Sequence, residues 1–241
     1  KICDRNFIGC DQLIFIEPDS SADANLKFFN SDGGESGACG NGTRCVANLI
    51  SNEKNNKSII LNTLSGKLKS EILEKKIVTT EIGKAKLKWD EIPLSKEMDT
   101  KNLNIKIIDT NNNEHSGGTA INVGNPHIVF FVKKIEDFNI EKIGPEIENH
   151  EIFPEKCNVT IAQIFNKNLI KVKVWERGAG LTKACGTAAC ATAYAGKLNN
   201  LTENKTDIEF ATGKLSISID ENDSIHMKGP VSNIKEINIK L

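Results

Sequence analysis

Two stretches of this chain carry the same pattern and decide its fold. Residues 30–45 read NSDGGESGACGNGTRC, and residues 175–191 read WERGAGLTKACGTAACA. In each stretch a polar residue, Asn30 or Glu176, follows a strand-like run and stands nine residues before a cysteine, Cys39 or Cys185. Glycine-rich segments favour loops with demanding backbone angles, and the residues after each Cys-Gly predict a helix. Matching flanks at matching distances indicate that a unit of strand, loop, Cys-Gly and helix is duplicated.

Outward from these stretches, the chain alternates short strands with few helices. Runs bounded by turn-forming residues predict strands at 13–16, 26–29, 58–62, 67–73, 76–82, 105–109, 119–123, 128–132, 159–164 and 169–175. Further strands are expected in the tail, 208–241, around Gly213 and Gly229. Helical spacing predicts helices at 43–50 and 187–198, with a helical or irregular segment at 136–149.

The composition excludes several classes of protein. Hydrophobic residues make up 39% and charged residues 26%, and the formal net charge is −1. This balance gives no field that favours nucleic acid or an anionic membrane, so we expect neither partner. There is no apolar run of membrane-spanning length and no secretory signal at the start. Seven cysteines without a C-x-x-C pair indicate reduced thiols and a cytoplasmic location, and no compact ligand spacing predicts a metal site.

The two repeated cysteines suggest proton transfer. A cysteine at the start of a helix faces unpaired backbone N–H groups and the positive end of the helix dipole. We expect this position to lower the thiol pKa of Cys39 and Cys185, and the same N–H groups to hold a substrate carboxylate. Two such units facing each other would let one thiolate remove a proton while the opposite thiol donates one. The alternative is a pair of buried structural cysteines.

Both stretches closely resemble the catalytic motifs of diaminopimelate epimerases. Residues 124–127, GNPH, and 144–159, GPEIENHEIFPEKCNV, resemble further signatures in that family's order, and 3–12 fits the segment upstream. The resemblance covers essentially the whole chain. The family's opening His-Gly-x-Gly-Asn-Asp-Phe motif is absent and the chain starts at Lys1 without a Met. We therefore expect a fragment or processed chain that lacks the family's N-terminal strand.

The resemblance implies a fold and an activity. The fold is α+β, with two similar, pseudo-symmetric halves, each a curved β-sheet around a central helix, and the active site between them. We assign the halves to 1–84 plus 232–241 and to 85–231. The implied activity is the interconversion of LL- and meso-2,6-diaminopimelate, in lysine and peptidoglycan precursor biosynthesis. It implies no pyridoxal phosphate or other cofactor, and a homodimer.

The resemblance also implies roles for matching residues. Cys39 and Cys185 would be the acid–base pair, with their pKa values tuned by His127, in a turn after Pro126, and by Glu176. The implied substrate-binding residues are Gln12, Asn30, Gly40, Asn41, Asn125, Asn158, Glu176, Arg177, Gly186 and Thr187. Side-chain amides suit an ammonium or carboxylate, and an arginine can bind a carboxylate through two hydrogen bonds.

The scarcity of arginine adds weight to two positions. Only Arg5, Arg44 and Arg177 are arginines among 31 basic residues. Arg44 and Arg177 each lie within ten residues of a Cys-Gly motif. Because arginine binds planar groups in a way that lysine cannot, this placement supports a recognition role as well as it supports the alternative, compositional bias and chance.

Two other interpretations stay open. A proline racemase-like enzyme of the same superfamily shares the two-cysteine mechanism, but Asn41 stands where those enzymes usually carry His. The Glu176-Arg177 pair also suits an extended dicarboxylate better. A thiol–disulfide redox protein belongs to a different class, in which Cys39 and Cys185 form a reversible bridge. We interpret such a bridge as an inactivating side reaction.

Overall fold

A computed structural model divides the chain into two compact units. It describes residues 2–4, 6–10, 12–30, 33–37, 39–74 and 76–238. The first unit comprises Lys1–Ile82 and Lys228–Leu241, and the second comprises Gly83–Met227. Arg5, Ala38 directly before Cys39, and the last three residues of the predicted tail lie outside the described residues.

The described residues of the first unit form a mixed sheet and one helix. Its elements are β1 (Gln12–Glu17), β2 (Ala24–Asn30), β3 (Glu35–Ser36), α1 (Gly40–Lys54), β4 (Ser58–Thr63), β5 (Gly66–Glu74) and β6 (Ile77–Lys84). The strands lie in the order β1-β2-β4-β5-β6, and β3 pairs with β2. Strands β2 and β4 are parallel, whereas β1 and β2, β4 and β5, and β5 and β6 are antiparallel. The chain crosses between the parallel strands through α1.

Alternation of side chains along β2 builds the core of the first unit. Ala24, Leu26 and Phe28 are buried on one face of the strand. They belong to one apolar cluster with Val46 and Ile50 of α1. Because successive strand residues point to opposite faces, this packing fixes the register that brings Asn30 to the end of β2, just before the loop to α1.

The second unit has a larger sheet and two helices. Its elements are β7 (Ile105–Ile108), β8 (Glu114–Gly117), β9 (Thr119–Asn122), β10 (Pro126–Val132), a 3-10 helix (Ile135–Asp137), α2 (Ile140–Glu148), β11 (Asn158–Asn166), β12 (Leu169–Glu176), β13 (Gly180–Leu181), α3 (Gly186–Leu198), β14 (Lys205–Phe210), β15 (Gly213–Ile219) and β16 (Ser224–Pro230). The order is β16-β15-β14-β12-β11-β10-β9, with β13 beside β12 and the β7–β8 hairpin separate. Two neighbouring pairs, β12 with β14 and β10 with β11, are parallel.

Helix α3 lies at the centre of the second unit. It contacts β9, β10, β11, β14 and β15, and ten of its thirteen residues are buried. Five of those ten are alanines, whose small side chains let the surrounding strands approach the helix. The strands therefore curve around the helix, and the α+β class predicted from the sequence is confirmed.

Both units use the same order of elements around their main helix. In the first it is β1–β2–β3–α1–β4–β5–β6, and in the second it is β11–β12–β13–α3–β14–β15–β16. In each unit the second strand of this order is followed by a tight turn and a two-residue strand. The helix then leads to a strand that runs parallel to that second strand. The repeat seen in the sequence is thus a repeat of topology.

Several predicted boundaries are wrong. Helix α1 begins at Gly40 rather than residue 43 and continues to Lys54, where Asn55 ends it in the left-handed conformation that asparagine tolerates. Strands β3 and β13 were not predicted, because two residues carry no periodicity. Strand β8 reads EHSG, which is too polar to indicate a strand. Residues 231–238 of the predicted tail form no strand.

Candidate functional site

Cys39 is the N-cap of α1. Its φ of −138° and ψ of 108° are extended, and its carbonyl accepts a hydrogen bond from the Thr43 N–H at 2.8 Å. The Gly42 N–H donates to the Cys39 Sγ at 3.3 Å. The N–H groups of Gly40 and Asn41 remain in the first turn, where a helix offers donors to an anionic ligand. The first cysteine therefore has a backbone donor on its sulfur and stands beside the N-terminal turn of a helix.

Cys185 occupies the same position on α3. Its φ is −134° and its ψ is 119°, and its carbonyl accepts from the Ala189 N–H at 3.1 Å. Its sulfur lies 3.4 Å from the Thr187 hydroxyl oxygen, and its residue is only 6% exposed. Because the two N-caps share backbone angles and the hydrogen bond that their carbonyl accepts from the N–H four residues further on, the two Cys-Gly motifs build one backbone structure twice.

The prediction that the thiol pKa of Cys185 is lowered is wrong, because the pKa is raised. Burial raises the pKa of its thiol well above 9.0, and the charge of the Glu176 carboxylate raises it further. Hydrogen bonds from Thr187 and from the Ala188 backbone lower the pKa but are smaller effects. Desolvation of a thiolate thus outweighs the helix dipole at this position. Cys185 carries its proton at neutral pH.

Asn30 and Gln12 form a polar pair at the end of the first strands. They are directly opposite in the β1–β2 register, and the Gln12 side-chain N–H donates to the Asn30 Oδ1 at 3.1 Å. The Gln12 Oε1 is buried without a hydrogen-bond partner among the described residues. A turn follows, in which the Gly33 N–H donates to the Asn30 carbonyl at 3.0 Å. The pair thus holds an unused acceptor next to the loop that leads to Cys39.

Glu176 and Arg177 lie in the equivalent turn of the second unit. Glu176 pairs with Gly180, and the Ala179 N–H donates to the Glu176 carbonyl at 3.0 Å. Gly178 has a φ of +72° and Gly180 a φ of +82°, which glycine adopts without strain. The Arg177 guanidinium donates to the Glu155 carbonyl at 2.9 Å, and its charge acts on His127.

Asn158 ties this turn to the sheet. The residue is 2% exposed. Its Oδ1 accepts from the Arg177 N–H at 3.0 Å, and its Nδ2 donates to the Pro126 carbonyl at 2.9 Å. Both ends of the amide are therefore occupied by backbone groups, so the side chain links the start of β10 to the turn after β12.

His127 lies in strand β10, so its expected position in a turn is wrong. It pairs with Asn158 on one side and Ile121 on the other, and it is fully buried. Burial, followed by the positive charge of Arg177, lowers its pKa from 6.5 to about 3. The ring is therefore neutral at physiological pH. Its Nε2 donates to the Asn125 Oδ1 at 2.8 Å, which leaves Nδ1 as a buried acceptor without a partner among the described residues.

Arg44 positions the first turn of α1. The Arg44 residue is buried, with 4% of its surface exposed. Its guanidinium donates to the Asn41 Oδ1 at 2.8 Å and to the Gly40 carbonyl at 3.4 Å. It thereby fixes the side chain of Asn41. The sequence singled out Arg44 only through the scarcity of arginine, and its contacts assign it this supporting role.

Each unit gathers its own share of the predicted site residues. Around α1 of the first unit lie Gln12, Asn30, Cys39, Gly40 and Asn41. Around α3 and β10 of the second lie Asn125, His127, Asn158, Glu176, Arg177, Cys185, Gly186 and Thr187. In the described part of the chain no three His, Cys, Asp or Glu side chains are grouped to hold a metal ion. No helix there is long and apolar enough to cross a membrane.

One buried carboxylate close to this site was missed. Glu148, at the end of α2, accepts hydrogen bonds from Trp175 and Gly178 on either side of Glu176 and Arg177. The residue falls inside the segment 144–159 that resembles a family signature, which is the signal that could have found it.

Known proteins with similar sequences belong to one family. Residues 1–88 and 119–234 match the family model for diaminopimelate epimerase. The diaminopimelate epimerase of Pelagibacter ubique (strain HTCC1062) is 68% identical over 241 residues, which are 100% of this chain and 88% of that protein. That of Sphingopyxis alaskensis (strain DSM 13593 / LMG 18877 / RB2256) is 42% identical over 95% of this chain and 82% of its own length.

A solved structure shows the same fold at low identity. The crystal structure of a hydroxyproline epimerase from Agrobacterium vitis aligns with a TM-score of 0.68 and 13% identity, over 95% of this chain and 75% of that one. At this identity the likeness concerns the fold alone. The family itself is shown by two findings, the family model that matches most of the chain and the two relatives at 68% and 42% identity. The chain belongs to the diaminopimelate epimerase family.

Proposed function

We propose that this chain is a diaminopimelate epimerase, an isomerase that interconverts LL- and meso-2,6-diaminopimelate with Cys39 and Cys185 as its acid–base pair. The observation that carries the proposal is the repeated N-cap cysteine. Cys39 and Cys185 have nearly the same backbone angles, and each precedes a first helical turn with free donors for an anion. The identity of the substrate is inferred from membership of the family.

The proposed reaction moves one proton at a time. A thiolate takes the α-proton, so that a C–H bond breaks, an S–H bond forms and the electron pair stays on carbon beside the substrate carboxylate. The opposite thiol then gives its proton to the other face of that carbon and becomes the thiolate. Backbone N–H groups of residues 40–41 and 186–187 would stabilise the negative charge that develops on the carboxylate. No electrons are gained or lost.

The two thiols start from different states. The raised pKa of Cys185 means that its thiol is the proton donor of the resting enzyme, since burial and the Glu176 carboxylate both oppose its ionisation. The Gly42 N–H that donates to the sulfur of Cys39 suits that sulfur to the thiolate role. After one turnover the roles are exchanged, as a reversible epimerase requires.

The remaining site residues would bind the substrate and tune the thiols. Arg177 is the cation in the second unit best suited to the distal carboxylate, and Asn30, Asn125 and Gln12 offer amides to the amino-acid groups. The neutral His127 and the Glu176 carboxylate would set the two thiol pKa values. Asn41, Gly40, Gly186 and Thr187 would line the helix N-termini.

Three further expectations remain predictions. The family resemblance favours a homodimer and a cytoplasmic location, and the proposed steps need only thiols and hydrogen bonds. We therefore expect added pyridoxal phosphate to leave the rate unchanged. A rate that depends strictly on pyridoxal phosphate would refute this mechanism.

The proposal is tested by separating the isomers after incubation of the reduced protein with LL-diaminopimelate. We expect meso-diaminopimelate to appear with the wild type, and no conversion with Cys39→Ala or Cys185→Ala. Cys45→Ala, in the body of α1, is the matched control and should retain activity. Conversion by either site variant at the wild-type rate would contradict the two-thiol mechanism, and conversion of proline instead would favour a proline racemase-like enzyme.

A further inference from the structure

Glu148 forms a clamp on the turn that carries Glu176 and Arg177. One carboxylate oxygen accepts the Trp175 indole N–H at 2.7 Å, and the other accepts the Gly178 backbone N–H at 2.9 Å. Residue Glu148 is only 6% exposed. The carboxylate thus bridges the residue before the Glu-Arg pair and the residue after it.

The turn itself has few other anchors. Residues 177–179 join β12 to the two-residue strand β13, and Gly178 and Ala179 are exposed. Its three backbone N–H groups go to Asn158, to Glu148 and to the Glu176 carbonyl. Only the last is a contact within the turn. Side chains from elsewhere in the second unit therefore determine where this turn lies.

Helix α2 is shaped to hold the clamp. Gly144, one turn before Glu148, lies under the Trp175 ring, and a Cβ at this position would overlap the ring. Trp175 can therefore pack directly against the helix, with its N–H donating to the Glu148 carboxylate. Of the predicted site residues, only Asn158 lies in the segment 144–159. The contacts of Gly144 and Glu148 explain why this segment also matters for the turn.

We propose that Glu148 is a positioning residue, which holds Glu176 and Arg177 in place for the epimerase reaction without touching the substrate. The inference rests on the proposed function for its kinetic consequence, although the clamp itself does not. A carboxylate is required because both partners are donors and each of its oxygens accepts. A glutamine there must turn an N–H₂ group toward one of the two N–H groups. That clash opens the turn.

The expected kinetic effect is large because small displacements of reacting groups are costly. A shift of about 1 Å in a positioned group can lower a rate about 100-fold. We expect Glu148→Gln to lower kcat/KM by about 10- to 100-fold, with a rise in KM since Arg177 is displaced. The matched control is Glu146→Gln, an exposed position on the same helix. It should stay within about twofold of the wild type.

A second variant separates the clamp from a general loss of folding. Trp175→Phe removes the indole donor, so in Glu148→Gln/Trp175→Phe the glutamine oxygen can accept the Gly178 N–H while its N–H₂ faces a ring. We expect the double variant to be more active than Glu148→Gln alone, by about fivefold or more. If Glu148 only stabilised the fold, the second substitution would lower activity further, and that outcome would overturn the inference.

Amide hydrogen exchange of Gly178, followed by NMR in the full chain, tests the clamp without any substrate. Exchange should be faster in Glu148→Gln than in the wild type and unchanged in Glu146→Gln. Unchanged exchange at Gly178 would refute the clamp. If the wild type does not epimerise diaminopimelate, the proposed function fails, but the exchange rates still decide whether Glu148 holds the turn.

Discussion

Acid should destabilise this protein through His127. The pKa of His127 is about 3 in the folded chain because the ring is fully buried next to Arg177, whereas an unfolded histidine has a pKa near 6.5. Between these values the unfolded chain binds one proton more than the folded chain. The free energy of unfolding therefore falls as the pH falls below about 6.5, and the fall continues until about pH 3.

The size of the effect follows from the same two pKa values. Each pH unit inside the window costs at most about 1.4 kcal/mol, so the change from pH 7 to pH 5 removes about 2 kcal/mol. Over the whole window the loss approaches about 5 kcal/mol, which is comparable with the entire stability of many domains. Carboxylates titrate in part of this range too, so the prediction concerns the difference between the wild type and a variant without this histidine.

Urea unfolding at pH 7 and pH 5 measures the difference. Trp89 and Trp175 both belong to the second unit, so their fluorescence reports on the unit that contains His127. His127→Gln keeps an N–H donor but cannot titrate, and we expect it to lose about 2 kcal/mol less than the wild type between the two pH values. Asn204→Gln, an exposed amide of the same unit, serves as the control and should lose as much as the wild type. Equal losses in the wild type and His127→Gln would refute the reasoning.

Three further perturbations follow from the structure. Glu176→Gln removes the charge that helps to raise the pKa of the Cys185 thiol, so iodoacetamide should alkylate Cys185 faster at pH 8, as measured by mass spectrometry; an unchanged rate would count against that cause. Gly144→Ala forces a Cβ into the Trp175 ring and should cost about 1–3 kcal/mol, which lowers Tm by about 2–12 °C in calorimetry; an unchanged Tm would contradict the close contact. Hydrogen bonds from His115 and neighbouring groups hold the pKa of Asp109 well below 3.8. The folded state thus gains stability from this carboxylate above pH 3.8 and loses it as the pH falls through the lower folded pKa. Asp109→Asn should therefore make the free energy of unfolding fall less steeply with acid than in the wild type, as measured by urea unfolding at several pH values. An unchanged slope would argue against this role of Asp109.

The repeated motifs made the main features of the site predictable. A Cys-Gly pair after a glycine-rich loop needs a backbone that turns from strand to helix, so the sequence alone indicated that Cys39 and Cys185 stand at helix starts. The structure has both as N-caps. The start of α1 was still missed by three residues, because the glycines of its first turn carry no helical periodicity.

Features that depend on distant residues were not predictable in this way. The pKa of Cys185 is decided by burial and by Glu176, and a local argument from the helix dipole gave the opposite direction. His127 became part of a strand through its parallel partner β11, about 30 residues further along the chain. Likewise Glu148 reaches Gly178 across 30 residues, and no spacing within one element indicates that contact.

The central claim is that two thiols act on opposite faces of one carbon, and solvent deuterium tests it most directly. In deuterium oxide the proton donor carries deuterium, whereas the thiolate first captures the substrate's own proton. At low conversion of LL-diaminopimelate, NMR should therefore find deuterium at the α-carbon of the meso product and almost none in the recovered substrate. Deuterium in product and recovered substrate alike would mean that a single group serves both faces, which contradicts the assignment of Cys39 and Cys185 as partners.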